Sequence, residues 1–247
     1  MASWLSPADV DQVTGYLDLA GVAICGLLGG TVARVAGLDL FGYLAVGTVS
    51  GLGGGIIRDT LLQRGTPVAL TAAAYLPTAM AGALLAFLFT IGEAQWNRLF
   101  AWLDAAVLSF WAIAGTQKTL AAGLAWLAAV LIGTVSAVGG GAVRDLLLSR
   151  VPAVLGGNGL YATVAAAVSG AYIVCARLGA PTIGIVVGIL GGMVLRLVAN
   201  HRNWSLPGGL PLEPTRALKQ VRGRTSRHRT RAAREHTKQE PPDDESR

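Results

Sequence analysis

The sequence predicts an all-α integral membrane protein with seven transmembrane helices, arranged as two inverted three-helix repeats plus a seventh helix. Three observations carry this prediction: an apolar composition, seven long apolar segments, and a duplication with an offset of 86 residues. Of the 247 residues, 53% are apolar and only 14% are charged. Soluble domains carry about 25% charged residues, so this composition indicates a chain whose solvent is lipid.

Each of the seven apolar segments is long enough to cross a bilayer, which takes about 20 helical residues. Short connections that hold glycine, proline or the few charges separate them. The first segment follows Asp9 and Asp11 rather than a basic leader, so it is predicted to be a retained span and not a signal peptide. The predicted spans are residues 16–35, 40–63, 69–90, 102–121, 125–148, 160–178 and 182–200.

The basic residues are concentrated in a C-terminal tail. Residues 1–200 carry 9 Lys/Arg and 8 Asp/Glu, whereas residues 201–247 carry 11 and 6. Because basic residues favour the cytoplasmic side, we expect a plasma-membrane protein with the C-terminus inside and, for seven spans, the N-terminus outside. The tail is too polar for a packed core and is predicted to be disordered. It would attract anionic lipid headgroups, and no aromatic or fold signature of nucleic-acid binding accompanies its charge.

The duplication is specific. Residues 47–64 align with residues 133–150, and 12 of these 18 positions are identical. The same offset pairs Asp18 with Asp104 and Tyr75 with Tyr161, whereas the prolines that follow, Pro67 and Pro152, are one residue out of register. Each copy holds three predicted spans, an odd number, so the second copy should enter the membrane upside down. Inverted repeats of this kind are typical of transport proteins.

These features divide the chain into six predicted regions. They are an N-terminal segment (1–15), a first three-helix repeat (16–90), a connecting loop (91–101), a second three-helix repeat (102–178), a seventh helix with its exit (179–207) and the basic cytoplasmic tail (208–247).

The duplicated motif begins with three glycines inside an apolar span. Glycine costs about 1 kcal/mol relative to alanine in a helix, and in lipid any freed backbone group needs protein or water as a partner. A kink or unwound turn that faces the protein interior is one interpretation, since consecutive glycines cover every helix face. Close helix packing is the other. The glycines are Gly53, Gly54, Gly55, Gly139, Gly140 and Gly141.

An arginine and an aspartate end each copy of the motif, Arg58-Asp59 and Arg144-Asp145. Adjacent residues on a helix do not face each other, so no comfortable salt bridge is expected within either pair. The arginines either extend to the interface or line a polar pathway. In the second case Asp59 and Asp145, or Asp18 and Asp104, would supply the acidic partners.

Three further charges lie in the predicted spans. Lys118 is either an interfacial anchor or part of a pathway. Asp18 and Asp104 lie near the starts of their spans, where a carboxylate favours the helix dipole. The chain shows no catalytic triad, phosphate-binding loop or zinc-ligand cluster, so enzymatic activity, a cofactor and a metal site are not expected.

The doubled Gly-Gly-Gly-x-x-Arg-Asp resembles the prokaryotic branch of the trimeric intracellular cation (TRIC) channel family. Leu17-Asp18, the run 115–118 (Gly-Thr-Gln-Lys) and the run 203–207 (Asn-Trp-Ser-Leu-Pro) support the resemblance, which covers about residues 15–207. It implies a symmetric homotrimer with one pathway per protomer, selective for monovalent cations, mainly K⁺. It also implies that the second and fifth helices bend at the glycine triplets, and it gives pathway roles to the triplets, both Arg-Asp pairs and Lys118.

Bacterial members of this family are often labelled glycine transporters. The alternative function is therefore a secondary transporter of glycine or a similar small zwitterion. A structural membrane protein whose repeats only pack together is a third hypothesis. The sequence does not separate a channel from a transporter, because inverted repeats and broken helices serve both.

Overall fold

The computed structural model describes residues 7–89, 93–155, 160–202 and 204, which form eight α-helices and no strand. The predicted tail (208–247) lies outside the described residues. The helices are α1 (Pro7–Val35), α2 (Leu40–Leu62), α3 (Val68–Thr71), α4 (Tyr75–Leu88), α5 (Glu93–Ala121), α6 (Trp126–Leu147), α7 (Tyr161–Arg177) and α8 (Pro181–His201).

Five of these helices are long and apolar enough to cross a membrane, namely α2, α6, α8 and the greater part of α1 and α5. The apolar helices α4 and α7 are shorter, with 14 and 17 residues. The span predicted at 69–90 is interrupted, because the four-residue α3 ends at an extended Ala72 before α4 begins. Seven predicted segments thus correspond to seven longer helices, while the count of seven membrane crossings and their inversion stay predictions.

The duplication is visible in how the helices end. α1 and α5 stop at Gly37 and Gly123, which have φ of +69° and +78° and lie 86 residues apart. Glycine adopts this left-handed conformation without a steric penalty, which makes it a common helix stop. α2 and α6 are followed by left-handed Gln63 and Ser149, again an equivalent pair. Repeated stop signals therefore end the first two helices of both copies at equivalent positions.

Small residues set the helix spacing. A Cβ on Gly29 of α1 would lie 2.7 Å from Ser50 Cβ of α2, and one on Gly115 of α5 would lie 2.9 Å from Ser136 Cβ of α6. The first helix of each copy therefore packs on the second through the same small residues. In the last helix, Gly188 and Gly192 face α5 and α7, while large apolar side chains cover its outer face: Ile183, Val186, Val187, Leu190 and Val194.

Charged side chains lie inside this apolar bundle. Asp18, Arg58, Asp145 and Arg196 are all buried. Buried charges in a protein of this composition are costly unless they are paired and hydrogen-bonded. Their partners define the candidate site.

Candidate functional site

The first group of polar side chains comes from α1, α2, α4 and α5. Asp18 accepts hydrogen bonds from the Tyr75 hydroxyl at 2.8 Å and from the Trp111 indole N–H at 2.9 Å. Arg58, which is only 2% exposed, donates through Nε to Asp59 Oδ1 at 2.7 Å. All five residues line one small cavity. With Lys118 they are called the first cluster below.

Lys118 approaches the same carboxylate from α5. Its ammonium lies 3.9 Å from Asp59 Oδ1, and its side chain is 38% exposed. Asp59 and Lys118 line a cavity of about 290 Å³ together with Arg64, whose guanidinium donates to the carbonyl of Ala122 at 2.6 Å. Lys118 therefore lies at the edge of a cavity that is lined by both positively and negatively charged side chains.

The second cluster repeats this arrangement with residues of α5 to α8. Tyr161 donates to Asp104 Oδ1 at 2.8 Å, as Tyr75 does to Asp18. Arg144 Nη2 lies 2.8 Å from Asp145 Oδ1. Arg196 adds a further cation, 3.6 Å from Asp104 Oδ2. The second cluster is Asp104, Arg144, Asp145, Tyr161 and Arg196.

Each aspartate of the motif also holds the chain that follows its helix. The second oxygen of Asp59 accepts from the backbone N–H of Val68 at 3.1 Å, and that of Asp145 accepts from Ala153 N–H at 3.0 Å. Both donors directly follow a proline, Pro67 or Pro152. The second connection is one residue shorter, which explains why the prolines are out of register although the contact is the same.

Two expectations drawn from the sequence are wrong. Each motif arginine does pair with the aspartate beside it, because Nε lies close enough to the backbone to reach the next side chain along the helix. Asp18 and Asp104 do not lie in a first helical turn either, since α1 begins at Pro7 and α5 at Glu93, about three turns earlier.

The acidic partners of the motif arginines are thus their own neighbours, Asp59 and Asp145. Asp104 instead pairs with Arg196, and Asp18 receives neutral donors. Arg58 is buried rather than extended to an interface. The sequence-predicted charges are therefore brought together in two clusters, one for each copy of the repeat.

The glycine triplets lie where α2 crosses α6. A Cβ on Gly54 would overlap the carbonyl oxygen of Ser136, and one on Gly140 would overlap that of Ser50. Both triplets are α-helical throughout, so neither is an unwound turn. This geometry supports close packing as a role of the glycines; a bend at the triplets stays a prediction.

The third glycine of each triplet faces its own arginine. A Cβ on Gly55 would lie 3.7 Å from Arg58 Nη2, and one on Gly141 would lie 3.6 Å from Arg144 Nη2. The guanidinium groups therefore fold back along the helix surface that these glycines leave bare. Within the motif, one glycine allows α2 and α6 to cross closely, and the next glycine leaves space for the arginine side chain.

Sequence reasoning did not assign four residues of the clusters: Tyr75, Trp111, Tyr161 and Arg196. Two signals were available. The tyrosines are matched across the repeat, and Trp111 is a tryptophan in the middle of a predicted span, far from the interfaces that this residue prefers. Arg196 gives no comparable signal, because α8 follows the duplicated part and its arginine lies near a helix end.

The comparisons with known proteins agree with this duplicated architecture. A family model described as "Glycine transporter" matches residues 15–90 and again residues 101–177. A UPF0126 membrane protein of Deinococcus radiodurans is 39% identical over 190 residues, which is 76% of this chain and 88% of that protein.

Solved structures extend the match to three dimensions. A TRIC trimeric intracellular cation channel orthologue from Rhodobacter sphaeroides superposes with a TM-score of 0.73 at 30% identity, over 78% of this chain and 99% of that one. A further structure, of TRIC cation channels studied for conductance, gives 0.71 at 30% identity, over 79% and 97% of the two chains. The apolar helices and these relatives make the chain a multi-pass membrane protein, and it belongs to the prokaryotic branch of the TRIC family.

Proposed function

We propose that this protein is a channel for monovalent cations, K⁺ above all, with one pathway in each protomer of a homotrimer. The observation that carries the proposal is the first cluster, in which the carboxylates of Asp18 and Asp59 line one buried cavity beside Arg58. Carboxylates within a membrane protein offset the cost of bringing a cation out of water. The neighbouring cations balance these charges when no ion is present.

The duplicated clusters support a pathway through the protomer. If the second repeat is inverted, the clusters lie towards opposite membrane faces, and the glycine crossing of α2 with α6 lies between them. The N-terminus would then be outside and the C-terminus in the cytoplasm, as the basic tail favours. Trimer formation and the conduction of cations rest on the similarity to a protein described as a trimeric intracellular cation channel. The preference for monovalent cations is part of the proposal.

Recording from purified protein in planar bilayers tests this function. We expect discrete K⁺ currents in the absence of any other substrate, with a reversal potential between zero and the K⁺ equilibrium value in a KCl gradient. Asp18→Asn should reduce the unitary conductance, because it removes a buried carboxylate from the cavity wall. Asp39→Asn is the matched control, since Asp39 is an exposed helix cap. If the purified protein has the size of a folded trimer but gives no K⁺ currents in the bilayer, the proposal is overturned.

One observation favours the second candidate, a transporter of a small zwitterion. The cavity of about 290 Å³ has Asp59 on its wall together with Lys118 and Arg64. A glycine molecule could place its ammonium at the aspartate and its carboxylate at the cations. Saturable uptake of labelled glycine into proteoliposomes, without unitary currents, would favour this function over the channel.

A further inference from the structure

The equivalent aspartates of the two repeats differ in their second partner. Asp18 and Asp104 each accept a hydrogen bond of 2.8 Å from a tyrosine 57 residues further along the chain. The remaining oxygen of Asp18 accepts from the neutral indole of Trp111 at 2.9 Å. The remaining oxygen of Asp104 faces the guanidinium of Arg196 at 3.6 Å. The direct partners of Asp18 are thus both neutral donors, whereas Asp104 is in direct contact with a cation.

Arg196 makes a second contact beside Asp104. Its guanidinium carbon lies 4.5 Å from the centre of the Tyr161 ring, a cation–π contact with the same tyrosine that binds Asp104. The side chain is only 11% exposed. An arginine in a protein does not lose its proton, so its charge is permanent. The residue comes from α8, which lies outside the duplicated sequence, and is therefore an addition to one half only.

We propose that Arg196 is a tethered counter-cation that occupies the cation site of the second repeat at Asp104 and limits ion flux there. This inference rests on the proposed channel function. A permeating cation would meet an available carboxylate at Asp18, but would compete with the bound guanidinium at Asp104. Lys118 is not an equivalent counter-cation in the first cluster, because its side chain is flexible and partly exposed and its ammonium lies 3.9 Å from Asp59.

The proposal predicts charge effects of opposite sign for the two partners. Arg196→Gln leaves Asp104 with a net negative charge, so the reversal potential in a KCl gradient should shift towards the K⁺ equilibrium value. The unitary K⁺ conductance should rise about two- to tenfold, as expected when one fixed charge is removed beside an ion pathway. Asp104→Asn removes the negative charge that faces the guanidinium of Arg196 and should shift the reversal potential towards the Cl⁻ equilibrium value. The double variant should lie between the two.

Arg202→Gln is the matched control, because Arg202 is exposed beyond the end of the same helix and its loss changes the net charge equally. If the glutamine variant does not fold, Arg196→Lys is measured instead, because this substitution keeps the positive charge. It should keep the selectivity of the wild type.

A purely structural role for Arg196 would move both single variants in the same direction, and that result would overturn the inference. So would equal effects of Arg196→Gln and Arg202→Gln. Both outcomes leave the channel function intact as long as the wild-type protein conducts K⁺. Absence of wild-type currents would instead refute the proposed function itself.

Discussion

At the residue scale, the aspartates of the motif each serve two partners. One oxygen of Asp59 binds the guanidinium of Arg58, and the other binds the backbone of Val68 beyond the end of the helix. Asp145 does the same with Arg144 and Ala153. A carboxylate is the side chain that can accept on both oxygens at once, so the motif couples a buried charge to the path of the following loop.

Asp59→Asn should therefore destabilise the protein strongly. The amide keeps the shape but presents one acceptor in place of two, and it leaves the buried Arg58 charge without its counter-ion. Breaking a buried ion pair from one side costs about 3–5 kcal/mol. A thermal unfolding experiment on the detergent-solubilised protein should show a clearly lower melting temperature than for the wild type.

The exposed helix cap Asp39 offers the comparison for this substitution. Asp39 accepts from Gly42 N–H at 2.8 Å, and asparagine caps helices about as well as aspartate. Asp39→Asn should therefore leave the melting temperature almost unchanged. Equal effects of the two substitutions would show that the Asp59 pair contributes little to stability.

At the scale of helices, the positions of the segments were predictable from hydropathy, but their interruptions were not. The third segment reads as continuously apolar from residue 69 to residue 90, yet α4 begins only at Tyr75. The connection between α2 and α4 is bound instead by the Asp59 contact to Val68. A hydropathy pattern shows whether a side chain prefers water or an apolar environment. It contains no information about a tertiary hydrogen bond of this kind.

The glycine triplets show a similar limit. Their position within a span was evident, and the sequence left a kink and close packing as alternatives. The structure shows that Gly54 and Gly140 allow α2 and α6 to approach backbone to backbone. Only the partner helix distinguishes these two glycines from Gly55 and Gly141, which face arginine side chains. Three adjacent glycines therefore have different neighbours that no local pattern reveals.

Alanine substitutions within one triplet should accordingly differ in effect. Gly54→Ala places a methyl group against the carbonyl of Ser136, and such overpacking costs about 1–3 kcal/mol. Gly55→Ala makes only an ordinary contact with Arg58 and gains helix propensity of about 1 kcal/mol. Thermal unfolding should rank Gly54→Ala well below Gly55→Ala, with the same order for Gly140→Ala and Gly141→Ala. The reverse order would argue against a packing role at the crossing.

At the scale of the whole molecule, the two halves share a plan but differ in how they balance charge. Lys118 was recognisable in the sequence as a charge within a predicted span, and it supplies a cation to the first cluster. Arg196 serves the second cluster from outside the repeat. An internal alignment cannot reveal Arg196, because this residue has no duplicated counterpart. The duplication predicts which groups of the two halves are equivalent, and Arg196 of α8 makes their surroundings unequal.

This inequality predicts different responses to the same substitution in the two halves. Tyr75→Phe removes a hydrogen bond to Asp18, which is left with the single neutral donor Trp111. Hydrogen bonds to charged groups contribute about 1.5–3 kcal/mol, so the loss of stability should reach that range.

The equivalent substitution Tyr161→Phe should cost less. Asp104 keeps the Arg196 guanidinium, which lies 3.6 Å away and can move closer, while the phenylalanine ring preserves the cation–π contact. Tyr172→Phe gives the baseline, since that hydroxyl accepts only from the neutral amide of Gln117 at 3.1 Å. Melting temperatures of the three variants should therefore fall in the order Tyr172→Phe, Tyr161→Phe, Tyr75→Phe, from highest to lowest. If Tyr161→Phe proved as damaging as Tyr75→Phe, Arg196 would not be compensating the charge of Asp104, and the two halves would be energetically equivalent.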